Sequence, residues 1–347
     1  MKNLIQCVLF IGSFNLASFG TLDERLDPIV IKEYGTRLAQ PTLSHTEIRP
    51  GAYLIECDTI CGNSLLVYGK DGATLINSML AKMLPWLRKE IRDISGINNI
   101  KILISSNPHF WNTNANGLFG GMMDFMISHQ NTRDRILQDS TISDLNILPN
   151  YFQQRHVDNA GARITFEDKV RINFNNEKID LMHMEKASTD GDLLVHFTEK
   201  NVIFIGDIAT SNGLPFVNNN AGGSVEGTLA ALKKALDLGN ENTVFIPSLG
   251  QAMSFKQLKR YINKLDKIYL RIDALKKEGL LFLSLKRGKG ECRDRLGRFY
   301  SYYQKKEAEK FLEKANFQTK NFTEGWSVGL AGDKESWMGF FCEKILK

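Results

Sequence analysis

Between Gly51 and Met79 short apolar runs alternate with turn residues. Tyr53-Leu-Ile-Glu56, Ser64-Leu-Leu-Val-Tyr68 and Ala73-Thr-Leu-Ile76 are rich in branched and aromatic side chains, and Lys70-Asp71-Gly72 separates the last two. The pattern predicts consecutive strands with a hairpin at Lys70 to Gly72. The period then changes. Leu80, Leu84, Leu87, Ile91 and Ile94 recur every three or four residues, which predicts a helix over 80–94 that Gly96 stops. Ile100 to Ser105 predicts a short strand running into an Asn-rich loop. Further on, Asp180-Leu-Met-His183 and Asp192-Leu-Leu-Val-His-Phe197 are strand-like, and Asn201-Val-Ile-Phe-Ile-Gly-Asp207 predicts a strand ending at its Gly-Asp. Ser224 to Leu238 predicts a helix ended by Gly239, and Thr243-Val-Phe-Ile246 one more strand. Ser254 with Gln257 three residues on forms a capping box for a helix that places Phe255, Leu258, Ile262, Leu265, Tyr269 and Ile272 on one face. No internal repeat or low-complexity stretch appears.

The 347 residues suffice for one large domain with an appendage, or for two domains. Hydrophobic content of 43% and charged content of 24% exclude a globally disordered chain. The first residues read as a targeting segment. Lys2 precedes an apolar stretch containing Ile5 to Phe10, Ile11, Phe14 and Leu16, and Ala17-Ser-Phe-Gly20 offers small residues for cleavage. The stretch is too short, and too interrupted by Ser and Asn, to span a bilayer. Residues 1–20 are therefore expected to be a cleaved secretory signal, with an exported mature chain, periplasmic or secreted, beginning near Thr21. No later segment reaches transmembrane length. Cys57, Cys61, Cys292 and Cys342 remain in the mature chain and allow three pairings that the sequence does not rank. Cys57 and Cys61 match neither a redox nor a zinc-knuckle spacing and read as small buried apolar residues. Residues 255–320 carry 19 Lys or Arg against 8 Asp or Glu. Most of these charges fall between apolar positions of amphipathic patterns, so they read as solvated helix faces and nucleic acid is not an expected partner.

The loop after Ser105 carries the chemistry. It reads Ile104-Ser-Ser-Asn-Pro-His-Phe-Trp-Asn-Thr-Asn-Ala-Asn-Gly117. It resembles the loop of the metallo-β-lactamase superfamily in which a buried strand ends in His-x-His-x-Asp-His, followed by Gly and Asn. Laid on that signature, Asn107 stands for the first His, His109 keeps the second, Trp111 stands for the Asp and Asn112 for the third His. Further segments follow in the family's order. Ile127-Ser-His129-Gln-Asn-Thr-Arg133 resembles a His-Glu-Asn-Thr-Arg stretch, and Ala187-Ser188-Thr-Asp-Gly-Asp192 resembles Ala-His-Thr-Asp-Gly-Asp. Gly206-Asp207 matches the Gly-Asp whose carboxylate bridges two metals, and Pro247-Ser-Leu249-Gly250 resembles Pro-Gly-His-Gly. Pro215-Phe216-Val217 and Gly222-Gly223-Ser224 look like the same branch. The resemblance covers residues 45–270 and implies an αββα sandwich.

Its chemistry is largely missing. A catalytic zinc takes three protein ligands of the His, Asp, Glu or Cys type and one water. Of the seven ligand positions that the resemblance implies, Asn107, His109, Trp111, Asn112, Ser188, Asp207 and Leu249, only His109 and Asp207 keep a metal-binding type, as a vestigial pair. Without a bound cation nothing lowers the pKa of water toward neutrality. The expectation is a non-catalytic binding or scaffolding protein with no cofactor, whose partner, a small molecule or a protein, is not legible. One alternative is a metallohydrolase acting on a lactam, ester or thioester through a rearranged single zinc drawn from His109, Asp207, Asp190, Asp192, His129 and His183. Another is an anion-binding protein acting through residues 255–320.

The tail resembles the last strands of a class I S-adenosylmethionine-dependent methyltransferase. Leu275 to Lys286, Gly297-Arg-Phe-Tyr-Ser-Tyr-Tyr303, a helix from Lys305 to Ala315, Asn316-Phe317 and a closing strand from Trp337 to Ile345 follow in order. The Gly-rich cofactor loop is absent, so that cofactor is not expected; an unrelated α+β extension fits the same residues. The expected organisation is a signal at 1–20, an extension at 21–44, the metallo-β-lactamase-like domain at 45–270 and a small α/β appendage at 271–347.

Overall fold

The structure, a computed structural model, describes residues 42–345 except 58–61, 120–121, 143–150, 212, 274–279, 294–298 and 329–333. The signal-peptide reading of residues 1–20 and most of the expected extension lie outside the described residues. The chain divides into two compact units between Leu265 and Asp266, within the helix Phe255–Asp273.

Two sheets form the first unit. One runs, edge to edge, Leu43–Arg49, Ala52–Cys57, Ser64–Gly69, Gly72–Ile76, Ile100–Ser105, Met123–His129 and Ile164–Phe166. The other runs Lys169–Phe174, Glu177–Met184, Asp192–Phe197, Val202–Thr210, Val244–Leu249 and Met253–Ser254. Alternation along each strand sorts the apolar side chains into layers. Leu54, Leu65, Val67, Ile76, Ile102 and Ile104 face the second sheet and pack with Ile179, Leu181, Leu193, Val195 and Phe204. Their neighbours Ile55, Leu66, Leu75 and Leu103 face the other way, toward Leu84, Leu87 and Ile91 of the helix Leu84–Ser95. On the far side of the second sheet, Phe245 meets Phe255 with ring centroids 6.4 Å apart, and the helix Val225–Leu238 buries Leu229, Leu232 and Ala235. The result is the expected αββα sandwich.

Most local expectations match. The hairpin closes through Gly69 opposite Gly72, and Gly96 ends its helix at φ +69°. Ser254 and Gln257 cap reciprocally, with Ser254 N–H donating to Gln257 Oε1 at 2.8 Å and Gln257 N–H to Ser254 Oγ at 3.3 Å. Four expectations need correction, the last of them in the second unit. The helix read over 80–94 begins as a 3₁₀ turn, Ala81–Met83, and becomes α-helical only at Leu84. Pro85 is the cause, because proline lacks an N–H and fits only the first turn. The strand read as ending at Asp207 continues to Thr210, which pairs with Leu249. Gly206, at φ +57°, takes up the register shift that lets the strand bend and go on. Cys57 is not a plain apolar residue but is disulfide-bonded, whereas Cys342 is a buried free thiol.

The second unit holds an antiparallel sheet in the order Leu280–Lys286, Lys334–Lys344, Phe317–Val328. The helix Lys305–Lys314 packs Ala308 and Leu312 on one face of it, against Phe317, Met338, Phe340 and Cys342. Gln304 and Glu307 form its capping box. The closing strand starts at Lys334, earlier than Trp337 as read, because it pairs along its length with Phe317–Val328, a strand that the sequence pattern did not predict.

Candidate functional site

The strand Ile100–Ser105 ends inside the protein, and the loop after it is fixed from both sheets. Ser106 N–H donates to Asn77 Oδ1 at 2.9 Å, and Leu193 N–H donates to Ser106 O at 2.8 Å. The short helix Phe110–Thr113 follows, wholly buried. From the facing sheet, Val202–Thr210 delivers Asp207 immediately after the bend at Gly206. Glycine is also needed at Gly62, at φ +78°, where a Cβ would lie 2.5 Å from Trp111 O and 3.3 Å from Asn112 Oδ1.

Four side chains converge on the Asp207 carboxylate. Asn107 Nδ2 donates to Oδ2 at 2.8 Å, Asn112 Nδ2 at 3.0 Å, and Trp111 Nε1 at 3.1 Å with 3.2 Å to Oδ1. His109 Nδ1 lies 2.6 Å from Oδ2. The partner of the other ring nitrogen assigns its tautomer. Asn218 Oδ1 accepts from Ala221 N–H at 3.1 Å, so its Nδ2 faces His109 Nε2, at 3.4 Å. Nε2 is then the acceptor, and Nδ1–H is donated to Asp207. Asn107 Oδ1 in turn accepts from His109 N–H at 3.1 Å and Asn112 Nδ2 at 2.9 Å.

Aromatic packing closes the site. His109 stacks on Trp111 with centroids 4.2 Å apart, and Phe216 lies 5.2 Å from His109 and 6.0 Å from Trp111. Ser188 Oγ donates to Phe216 O at 2.6 Å, which fixes that segment over the imidazole. Leu249 packs against the apolar cluster that contains Trp111 and Phe216. Trp111, Asn107 and Asn112 are 0% exposed and His109 2%. Five of the seven positions singled out from sequence therefore form one hydrogen-bonded group, while Ser188 and Leu249 act on its aromatic wall. Phe216 stands out in the sequence only within a family-like segment, and Asn218 carries no signal there, because its role depends on where the loop after Pro215 returns.

The electrostatics fit a closed core. Burial pushes Asp192 up to about 7, against the downward pull of its bonds from Thr189 N–H and Oγ1–H, and with an added upward push from Asp207. Asn107 Nδ2 lies between the two acids, 3.2 Å from Asp192 Oδ1.

The residues present do not fit zinc. A zinc ligand offers a lone pair to the cation. Here Asn107, Trp111 and Asn112 turn N–H groups toward the carboxylate instead, and the imidazole proton also points at it. The four residues considered for a rearranged site are engaged elsewhere, or in this network. His129 stacks on His183, Asp190 takes two 2.6 Å bonds from Arg135, and Asp192 is held by Thr189 and Asn107. Among the described residues no three His, Cys, Asp or Glu side chains are grouped to hold a metal. On the helix Phe255–Asp273, Leu258, Ile262 and Leu265 are buried while Lys256, Lys259, Arg260, Lys264 and Lys267 are exposed, the arrangement of a solvated face.

By sequence, no family model and no curated protein matches this chain. By structure, it is similar to a metallo-beta-lactamase from Pontibacter korlensis, with a TM-score of 0.51 at 13% identity, covering 65% of this chain and 99% of that one. It is also similar to a metallo-beta-lactamase family protein from Thermus thermophilus, with a TM-score of 0.51 at 13% identity, covering 66% and 83%. The chain thus has the metallo-β-lactamase fold.

Proposed function

We propose that this protein is a non-catalytic metallo-β-lactamase-fold protein, exported from the cell, that serves as a binding or scaffolding module for a small molecule or a protein. One observation carries the reading: four N–H donors converge on Asp207, where the family resemblance implies a metal-bridging carboxylate. Hydrolysis in this fold depends on a cation that acidifies water. Here the carboxylate that would hold it is satisfied by Asn107, His109, Trp111 and Asn112, and the indole fills the space beside it.

No helix among the described residues is long and apolar enough to cross a membrane. Zinc analysis of protein purified from zinc-supplemented medium tests the proposal. Metal far below one equivalent per chain supports the binding module. Near-stoichiometric zinc supports instead a metallohydrolase with a rearranged site, and would end this reading.

A further inference from the structure

The second unit leaves one strand edge open. Leu280–Lys286 is an outer strand of its sheet and is hydrogen-bonded on one side to Lys334–Lys344. Arg287 N–H donates inward, to Ser336 O at 2.8 Å, while Lys286 O accepts from Tyr303 N–H at 3.0 Å on the outer side. Residues of an antiparallel strand alternate between aiming their backbone groups at the neighbour and away from it. Leu280, Phe282 and Ser284, in step with Lys286, therefore turn N–H and C=O outward, and among the described residues no strand pairs with them. Tyr303, bridged to Arg287, closes the edge from Lys286 onward. The open stretch is Leu280 to Ser284.

The other outer strands of the three larger sheets carry the features that keep an edge from pairing with another chain. Leu43–Arg49 has His45, Glu47 and Arg49, Lys169–Phe174 has Lys169 and Arg171, and Phe317–Val328 has Lys320 and Glu324. Ile164–Phe166 and Met253–Ser254 are only 3 and 2 residues long. From Leu280 to Leu285 there is no charge, no proline and no bulge. Leu281, Leu283 and Leu285 pack toward Leu312, Met338 and Phe340. On the opposite face Leu280 is 74% exposed, Phe282 55% and Phe341 44%, and the two phenyl rings lie 4.6 Å apart. Phe282 leans over Gly339, where a Cβ would lie 3.0 Å from its Cε2, so the ring points away from the edge and leaves the backbone there clear.

We propose that this edge pairs with the same edge of a second copy, antiparallel and two-fold about Phe282, joining two three-stranded sheets into one of six strands. The stretch is its own complement. Leu280 of one copy falls opposite Ser284 of the other, and each outward N–H meets an outward C=O. An uncharged stretch meets its own copy without a like-charge contact, and the charges that flank it are opposed. Glu343, held by Lys320, lies beside Leu280, and Lys286, held by Glu335, follows Ser284. The two-fold brings the Glu343 end of one copy to the Lys286 end of the other, whereas a parallel approach would align like with like. The aromatic pairs of both copies then share one continuous face. A short edge with its rings is smaller than a standard interface of about 800 Å² per partner, so the dimer forms reversibly, in the micromolar range. The proposal is independent of the reading of Asp207.

The test uses the full chain. Sedimentation velocity of the wild type should show monomer giving way to dimer as concentration rises through the micromolar range. Amide exchange at Phe282 and Ser284 should slow about tenfold over that range, while exchange at Arg287, bonded inward, stays constant. Ser284→Pro removes an outward N–H and no bond to Lys334–Lys344, so the fold tolerates it while two symmetry-related bonds of the dimer are lost. Its dissociation constant should rise at least about tenfold. Ser284→Lys guards the edge with charge, keeps every backbone bond, and should weaken the dimer in the same direction. It reads the result if the proline variant fails to fold. A wild type that stays monomeric to near-millimolar concentration would overturn the proposal. So would a dimer in which exchange at Phe282 and Ser284 is unchanged, or a folded variant that associates as the wild type does.

Discussion

The indole of Trp111 lies flat against the imidazole of His109, with centroids 4.2 Å apart and planes 21° from parallel, and a nitrogen of each ring points at the Asp207 carboxylate. An aromatic side chain that stacks on one partner and donates to another is anchored twice. The stack favours the offset geometry of paired π-systems, and the bond to Asp207 removes the cost of burying the indole N–H. Together these interactions turn a cleft between two sheets into core.

Trp111→Ala should therefore destabilise the protein by about 3–5 kcal/mol, the usual cost of deleting a fully buried aromatic ring. Urea denaturation of wild type and variant measures it. A loss below about 1 kcal/mol would mean that the ring lines an open pocket rather than core.

The first part of the fold was legible because its periods are clean. Strands at Tyr53, Ser64 and Ala73 bury opposite faces in two different layers, so nearly every position is apolar. Phe317–Val328 was not legible, since Asn321 and Gly325 interrupt its pattern and it forms only by pairing with the closing strand. Within the site, residues 107 to 112 could be found because they are contiguous and match a known loop. That their N–H groups face the Asp207 carboxylate became visible only in three dimensions, since an amide can turn either end toward its neighbour. Asn218 and Phe216 come from a distant loop, and no local pattern ties them to His109.

His156 should make the protein acid-sensitive. Burial lowers its pKa to about 4, and its Nε2 lies 3.3 Å from Thr113 Oγ1. A depressed value places the stability it contributes above the ordinary pKa of about 6.5, to be lost as pH falls toward 4, on the order of 3 kcal/mol in total. Asp192, raised to about 7, acts with opposite sign, its contribution declining as pH rises from about 4 to 7. The difference between wild type and His156→Gln isolates the first effect. Chemical denaturation from pH 7 to 4 should show the flatter profile for the variant, and parallel profiles would count against it.

The assignment of loop positions can be tested by rebuilding. Asn107→His, Trp111→Asp, Asn112→His, Ser188→His and Leu249→His combined should give a folded protein that takes up zinc. A folded five-fold variant that binds none would show that these positions do not correspond to the family's ligands.

The central claim is that N–H donors occupy the Asp207 carboxylate where a cation would sit. The Trp111 Nε1–H proton reports on this directly by NMR. It should exchange slowly with solvent, as a fully buried hydrogen-bonded proton does, and keep its shift when excess zinc is added. A zinc-dependent shift or loss of that resonance, saturating at one metal per chain, would contradict the account.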